Sequence, residues 1–70
     1  TWWREAWDRI RDQGASPQTL RMLGQCEPNG DGRTVYAPSE IQADWITENI
    51  GPRLREVAGR ELEFKARAAS

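Results

Sequence analysis

The run from Thr34 to Trp45 (Thr-Val-Tyr-Ala-Pro-Ser-Glu-Ile-Gln-Ala-Asp-Trp) leaves the chain few conformational choices. Thr34, Val35 and Tyr36 are β-branched or aromatic and predict a short strand. Pro38 has no N–H to give a sheet ladder, so the strand stops before it. Ser39 then stands at an N-cap position, and Gln42 follows at the third helical residue, which is the capping-box spacing. Ile41 and Trp45, four residues apart, open an apolar stripe on the helix that follows, which places Trp45 in the core. Strand, stop and capped helix thus fit into one short block.

The flanking chain has its own signals. Residues 2–13 predict a first helix, with Trp3, Trp7 and Ile10 on one face, Ala6 beside them and Gly14 as its stop. Ser16-Pro17 predicts the start of a short second helix carrying Leu20, Met22 and Leu23 and closed by Gly24. Asn29-Gly30-Asp31-Gly32 is turn chemistry. A calcium-loop template begun at Glu27 would need a bidentate glutamate where Pro38 stands, so it is excluded. Gln25-Cys26-Glu27 is the remaining candidate for a partner strand, short and poorly patterned. Beyond Ile46 and Ile50, Gly51-Pro52 predicts a kink or break in the third helix. The helical pattern resumes through Leu54 and Val57 to Gly59, and Leu62, Phe64 and Ala66 then alternate with Glu61, Glu63 and Lys65 as a half-buried strand. The expected order is α-α-(β)-β-α-β, an α+β domain over residues 1–66 with helices on one face of a two- to three-stranded sheet and a frayed tail over 67–70. A strand, a helical crossover of about twenty residues and a second strand suit a parallel pair.

Composition narrows the function classes. At 70 residues, the chain is one small domain that buries about 60% of its unfolded surface. A net charge of −1 argues against a protein built chiefly to neutralise phosphates. The balance is uneven: residues 1–50 carry five basic and eight acidic side chains, residues 51–70 five basic and three acidic. The chain holds no histidine, which excludes His-based catalysis and His metal sites, and its single cysteine, Cys26, excludes an internal disulfide. No catalytic constellation and no cofactor motif is visible, so an enzyme is not expected. No apolar run reaches the length of a membrane span, nothing resembles a signal peptide, and the cytoplasm is the default expectation. A start at Thr1 rather than Met suggests an excised domain or a processed product.

Tyr36-Ala37-Pro38, followed by Asp44-Trp45-Ile46, resembles the N-terminal domain of the bacterial replication initiator DnaA, whose pattern there is L-Y-A-P-N-x-F-x-x-D-W-[VI]. Trp3-x-x-Ala6-Trp7-x-Arg9-Ile10 resembles that family's W-x-x-x-L-x-x-L helix, Ser16-Pro17-Gln18-x-Leu20 its second helix, and Leu62-x-Phe64 its closing strand. Thr19 stands where the family has an acidic residue, Leu23 where it has a tryptophan and Ile41 where it has an aromatic, and the segment before Tyr36 is several residues shorter. The resemblance implies a KH-like fold and a replication protein that self-associates weakly and recruits the replicative helicase or a regulator.

The candidate contact residues follow. Trp2 and Trp3 point about 100° apart on a helix, so one of them is expected at the surface; the resemblance makes the position of Trp3 an association site. By the same resemblance, Thr19 and Ile41 would face the replication partner. Asp44 reads either as a partner contact or as a carboxylate favoured near a helix start, and Asp44 with Glu48 as a solvated acidic face. The rival reading is a KH-like module in which Arg53, Arg55, Arg60 and Lys65, with Arg67, touch single-stranded DNA. No G-x-x-G loop supports it, and at most weak binding is expected.

Overall fold

The computed structural model describes residues 1–67 and confirms a small α+β domain of four helices and a three-stranded mixed sheet. The elements are α1 (Trp2–Asp12), α2 (Pro17–Gly24), β1 (Glu27–Pro28), β2 (Thr34–Ala37), α3 (Glu40–Asn49), α4 (Gly51–Ala58) and β3 (Glu63–Ala66). β2 is central. It pairs antiparallel with β1, setting Glu27 against Tyr36, and parallel with β3, setting Val35 against Phe64. Only one face of the sheet is covered: Val35, Ala37 and Phe64 point into the core, whereas Glu63 and Lys65 are exposed.

The helix boundaries follow the chemistry of their caps. Thr1 Oγ1 accepts the Arg4 N–H at 3.3 Å, and Ser16 Oγ accepts the Thr19 N–H at 3.2 Å with Pro17 opening α2. Ser39 Oγ accepts the Gln42 N–H at 3.2 Å, satisfying one of the orphan donors at the start of α3. Gly-Pro divides the crossover into two helices rather than kinking one. Gly51 is buried against its surroundings, and a Cβ there would meet the Ile46 carbonyl oxygen at 3.3 Å. Gly24 lies inside α2 as its last residue, and the cap is Gln25.

The core joins Trp3, Ala6 and Ile10 of α1, Leu23, Val35, Ala37, Ala43, Ile46, Ile50, Leu54, Leu62 and Phe64. On α3 this corrects the sequence expectation. Its buried stripe is Ala43 and Ile46, continued by Ile50 at the break, not Ile41 and Trp45. At 3.6 residues per turn, Ile41 stands roughly 160° from Ala43, so the two stripes cannot share the core. The small Ala43 lets the helix backbone approach the sheet, a role Trp45 could not fill. Trp7 is half-buried, its indole N–H donating to the Leu20 carbonyl at 2.9 Å and so tying α1 to α2.

Arg67, the first residue of the expected tail, makes two hydrogen bonds to the domain. The Arg67 N–H donates to the Ala37 carbonyl at 2.8 Å, and its guanidinium reaches the Gln25 carbonyl at 3.2 Å. The rest of the expected tail, 68–70, lies outside the described residues.

The β1–β2 turn is organised by Asp31. Its Oδ1 accepts the N–H groups of Arg33 and Thr34, both at 2.9 Å, and its Oδ2 accepts the Thr34 hydroxyl at 2.9 Å. Gly32 takes a positive φ of 73°, and a Cβ there would lie 2.9 Å from Arg60 Nη1. The bonds from the Thr34 and Arg33 amides hold the Asp31 carboxyl down from 3.8 to about 2. A depressed folded-state value contributes stability that is present above the unfolded value and is lost as pH falls through the folded one. The stability advantage of the parent over Asp31→Asn should therefore be full above about pH 4 and vanish on acidification toward pH 2. Urea unfolding at several pH values measures this, and a pH-independent gap would reject it.

Candidate functional site

The outer face of α3 is where the fold leaves large apolar groups in solvent. Ile41 is 81% exposed and Trp45 39% exposed, and these are the exposed large hydrophobics among the described residues. They lie one turn apart on the same side of the helix, set there by the Ser39 cap and by the burial of Ala43 and Ile46 on the other side. Asp44 and Glu48 flank them, and Glu40 precedes them. Among the described residues, none of these three carboxylates takes part in an ion pair. The helix carries no basic side chain. A carboxylate in the first turn suits the helix dipole, but Glu48 sits near the C-terminal end, where the dipole opposes negative charge.

The other sequence candidates separate into engaged and free groups. Trp3 is 7% exposed and belongs to the core, so it offers no surface for association in this conformation. Trp2 is half-buried rather than fully presented. It meets Trp3 edge to face, with centroids 5.9 Å apart, and the Arg60 guanidinium lies 4.4 Å from its ring centroid. Neither adjacent tryptophan therefore stands free, because a stacked arginine covers the one that the core does not. Thr19 is half-buried, its hydroxyl 2.9 Å from that of Ser16.

Of the arginines expected to meet nucleic acid, three are held by the fold, Arg67 through the Gln25 carbonyl. Arg55 donates to the Leu62 carbonyl at 3.1 Å, and Arg60 donates to the Gly32 carbonyl at 3.1 Å while stacking on Trp2. Arg53 and Lys65 are exposed, Lys65 at 4.0 Å from Glu63. The basic groups do not form one patch: Arg53 lies on α4, Lys65 on the uncovered sheet face, and Arg60 against α1. Cys26 is buried, and burial pushes its thiol up to about 11, which suits a structural residue.

α2 and α3 do meet at one place. Gln18, Arg21, Met22, Gln25 and Gln42 line an open cavity of about 180 Å³. It sits beside the start of α3, so the second helix and the Ile41 end of the third border one groove. Size alone sends a tryptophan to the core and a carboxylate pair to solvent, so sequence reasoning does not place Trp45 and Glu48 on one candidate face. The signal that could have found them is the second stripe, Ala43-Ile46-Ile50, whose small first member marks the face that meets the sheet.

No helix among the described residues is long and apolar enough to cross a membrane. No family model matches the chain, and no solved structure matches it.

Proposed function

We propose that this is a protein-interaction domain of a bacterial replication initiator, self-associating weakly and recruiting the replicative helicase or a replication regulator. The observation that carries the reading is the exposed Ile41–Trp45 face of α3. A small domain that leaves an isoleucine largely exposed beside a partly exposed tryptophan presents the kind of anchor that dominates protein interfaces. The resemblance of Tyr36-Ala37-Pro38 and Asp44-Trp45-Ile46 to the initiator's N-terminal domain gives that face its partner class. The groove between α2 and α3 supports a contact that spans both helices. Asp44 lies on the face itself, and Thr19 on the neighbouring helix.

The test is binding of the isolated domain to a purified bacterial replicative helicase, measured by calorimetry. Ile41→Ala should weaken that binding by about tenfold or more, while the melting temperature stays near that of the parent because the side chain is largely in solvent. Absent helicase binding, or binding indifferent to Ile41→Ala, would overturn the proposal.

A further inference from the structure

We infer that the occupant of the α3 outer face is a basic amphipathic helix, its apolar side chains seated on Ile41 and Trp45 and its lysines or arginines opposite Glu40, Asp44 and Glu48. The inference rests on the interaction-domain reading and specifies the chemistry of its partner. Two independent features of the face converge on it. The apolar pair follows i, i+4 spacing on one side of a regular helix, opposite its buried stripe, which suits side-by-side packing of a second helix. The carboxylates recur every four residues, at 40, 44 and 48, so they rise about 6 Å per step along the axis. A partner helix with one cation per turn matches that rise, much as flanking charges match across paired helices.

The charges also lack an internal explanation. Glu40, Asp44 and Glu48 have no ion-pair partner among the described residues, although the domain carries ten basic side chains. Glu48 is placed against the helix dipole, a small standing cost that an intermolecular cation would reverse. An acidic or neutral apolar partner would instead bring its own surface against three uncompensated negative groups. Unlike-charge juxtaposition steers encounter and sets register, and like-charge juxtaposition rejects the wrong partner.

The probe is a synthetic amphipathic helix of about fifteen residues, the length at which a helix begins to hold in water, with leucines along one face and lysines flanking them. A twin peptide carries glutamates in place of the lysines. Binding to the intact 70-residue chain is measured by calorimetry, with amide shift changes locating the site. The lysine peptide should bind at least about tenfold tighter than its twin and shift residues of α3, and added salt should narrow the difference. Asp44→Lys with Glu48→Lys should reverse the preference. Glu5→Lys with Glu56→Lys, the same charge change at exposed positions elsewhere, should leave it intact.

Equal binding of the two peptides, binding of neither, or the same response from the Glu5/Glu56 variant would overturn the inference, as would a parent chain whose α3 face is already covered by a second copy. The two readings fail separately. Helicase binding that needs Ile41 but ignores the Asp44/Glu48 charge reversal sinks the basic-helix inference and leaves the interaction domain standing. A charge-selective α3 face with no helicase binding does the opposite.

Discussion

Ile46→Ala should destabilise the domain by about 2–5 kcal/mol, whereas Trp45→Ala, one residue away, should cost less. The larger residue is expected to matter less. Ile46 is fully enclosed between α3 and the sheet, so truncation removes buried surface and leaves a cavity. Trp45 is 39% exposed and lies outside the buried cluster, so its loss removes partial contacts rather than enclosed core. For a domain of this size each kcal/mol is worth roughly 4–8 °C in melting temperature, so the two variants separate clearly in thermal or urea unfolding. The reverse order would mean that α3 is rotated and that the Ile41–Trp45 face is not free.

Trp3→Ala should cost about 3–5 kcal/mol, comparable with the whole stability of a chain this short at roughly 0.05–0.15 kcal/mol per residue. Trp3 is 7% exposed within the buried cluster, so truncation removes nearly a whole indole from the core. Trp2→Ala should cost much less, since its ring is only half-buried and its main partner is the stacked Arg60 guanidinium. The consequence bears on self-association. A Trp3→Ala chain that fails to associate in sedimentation would fail because it is unfolded, so the informative variant is Trp2→Ala, checked for fold by circular dichroism. Parent-like melting of Trp3→Ala would show that the core assignment is wrong.

The parts of this fold that sequence reading recovers are those with local causes. Ser16-Pro17 and Ser39 cap their helices through side-chain oxygens on the neighbouring amides. Gly51-Pro52 breaks the crossover, and Leu62 and Phe64 alternate with charged neighbours as a strand with one wet face must. What escapes is decided by distant contacts. Which stripe of α3 turns inward depends on how closely its backbone can approach the sheet, and Ala43 settles that rather than the bulk of Trp45. The fate of Trp2 depends on Arg60, which is remote in sequence. The contacts of Arg67 are to the distant carbonyls of Gln25 and Ala37. The candidate site shares this split: the family resemblance points to Ile41 and Asp44, but that Trp45 stands beside them at the surface depends on which stripe of α3 meets the sheet.

The parallel partnership of β2 with β3 sets the order in which the molecule can be completed. The β1–β2 hairpin closes over a short, Asp31-organised turn, so it can form as soon as those residues exist. β3 cannot join until α3 and α4 have been laid across the intervening gap, because a parallel pair has no short connection. Loop closure over that crossover must come before its reward. Leu62 and Phe64, both core residues, arrive only with this late strand. During synthesis the helices and hairpin would therefore wait, with their apolar faces open, for the last described element to reach them. β3 is thus the last of the three strands able to pair, and its pairing is what closes the core over Phe64.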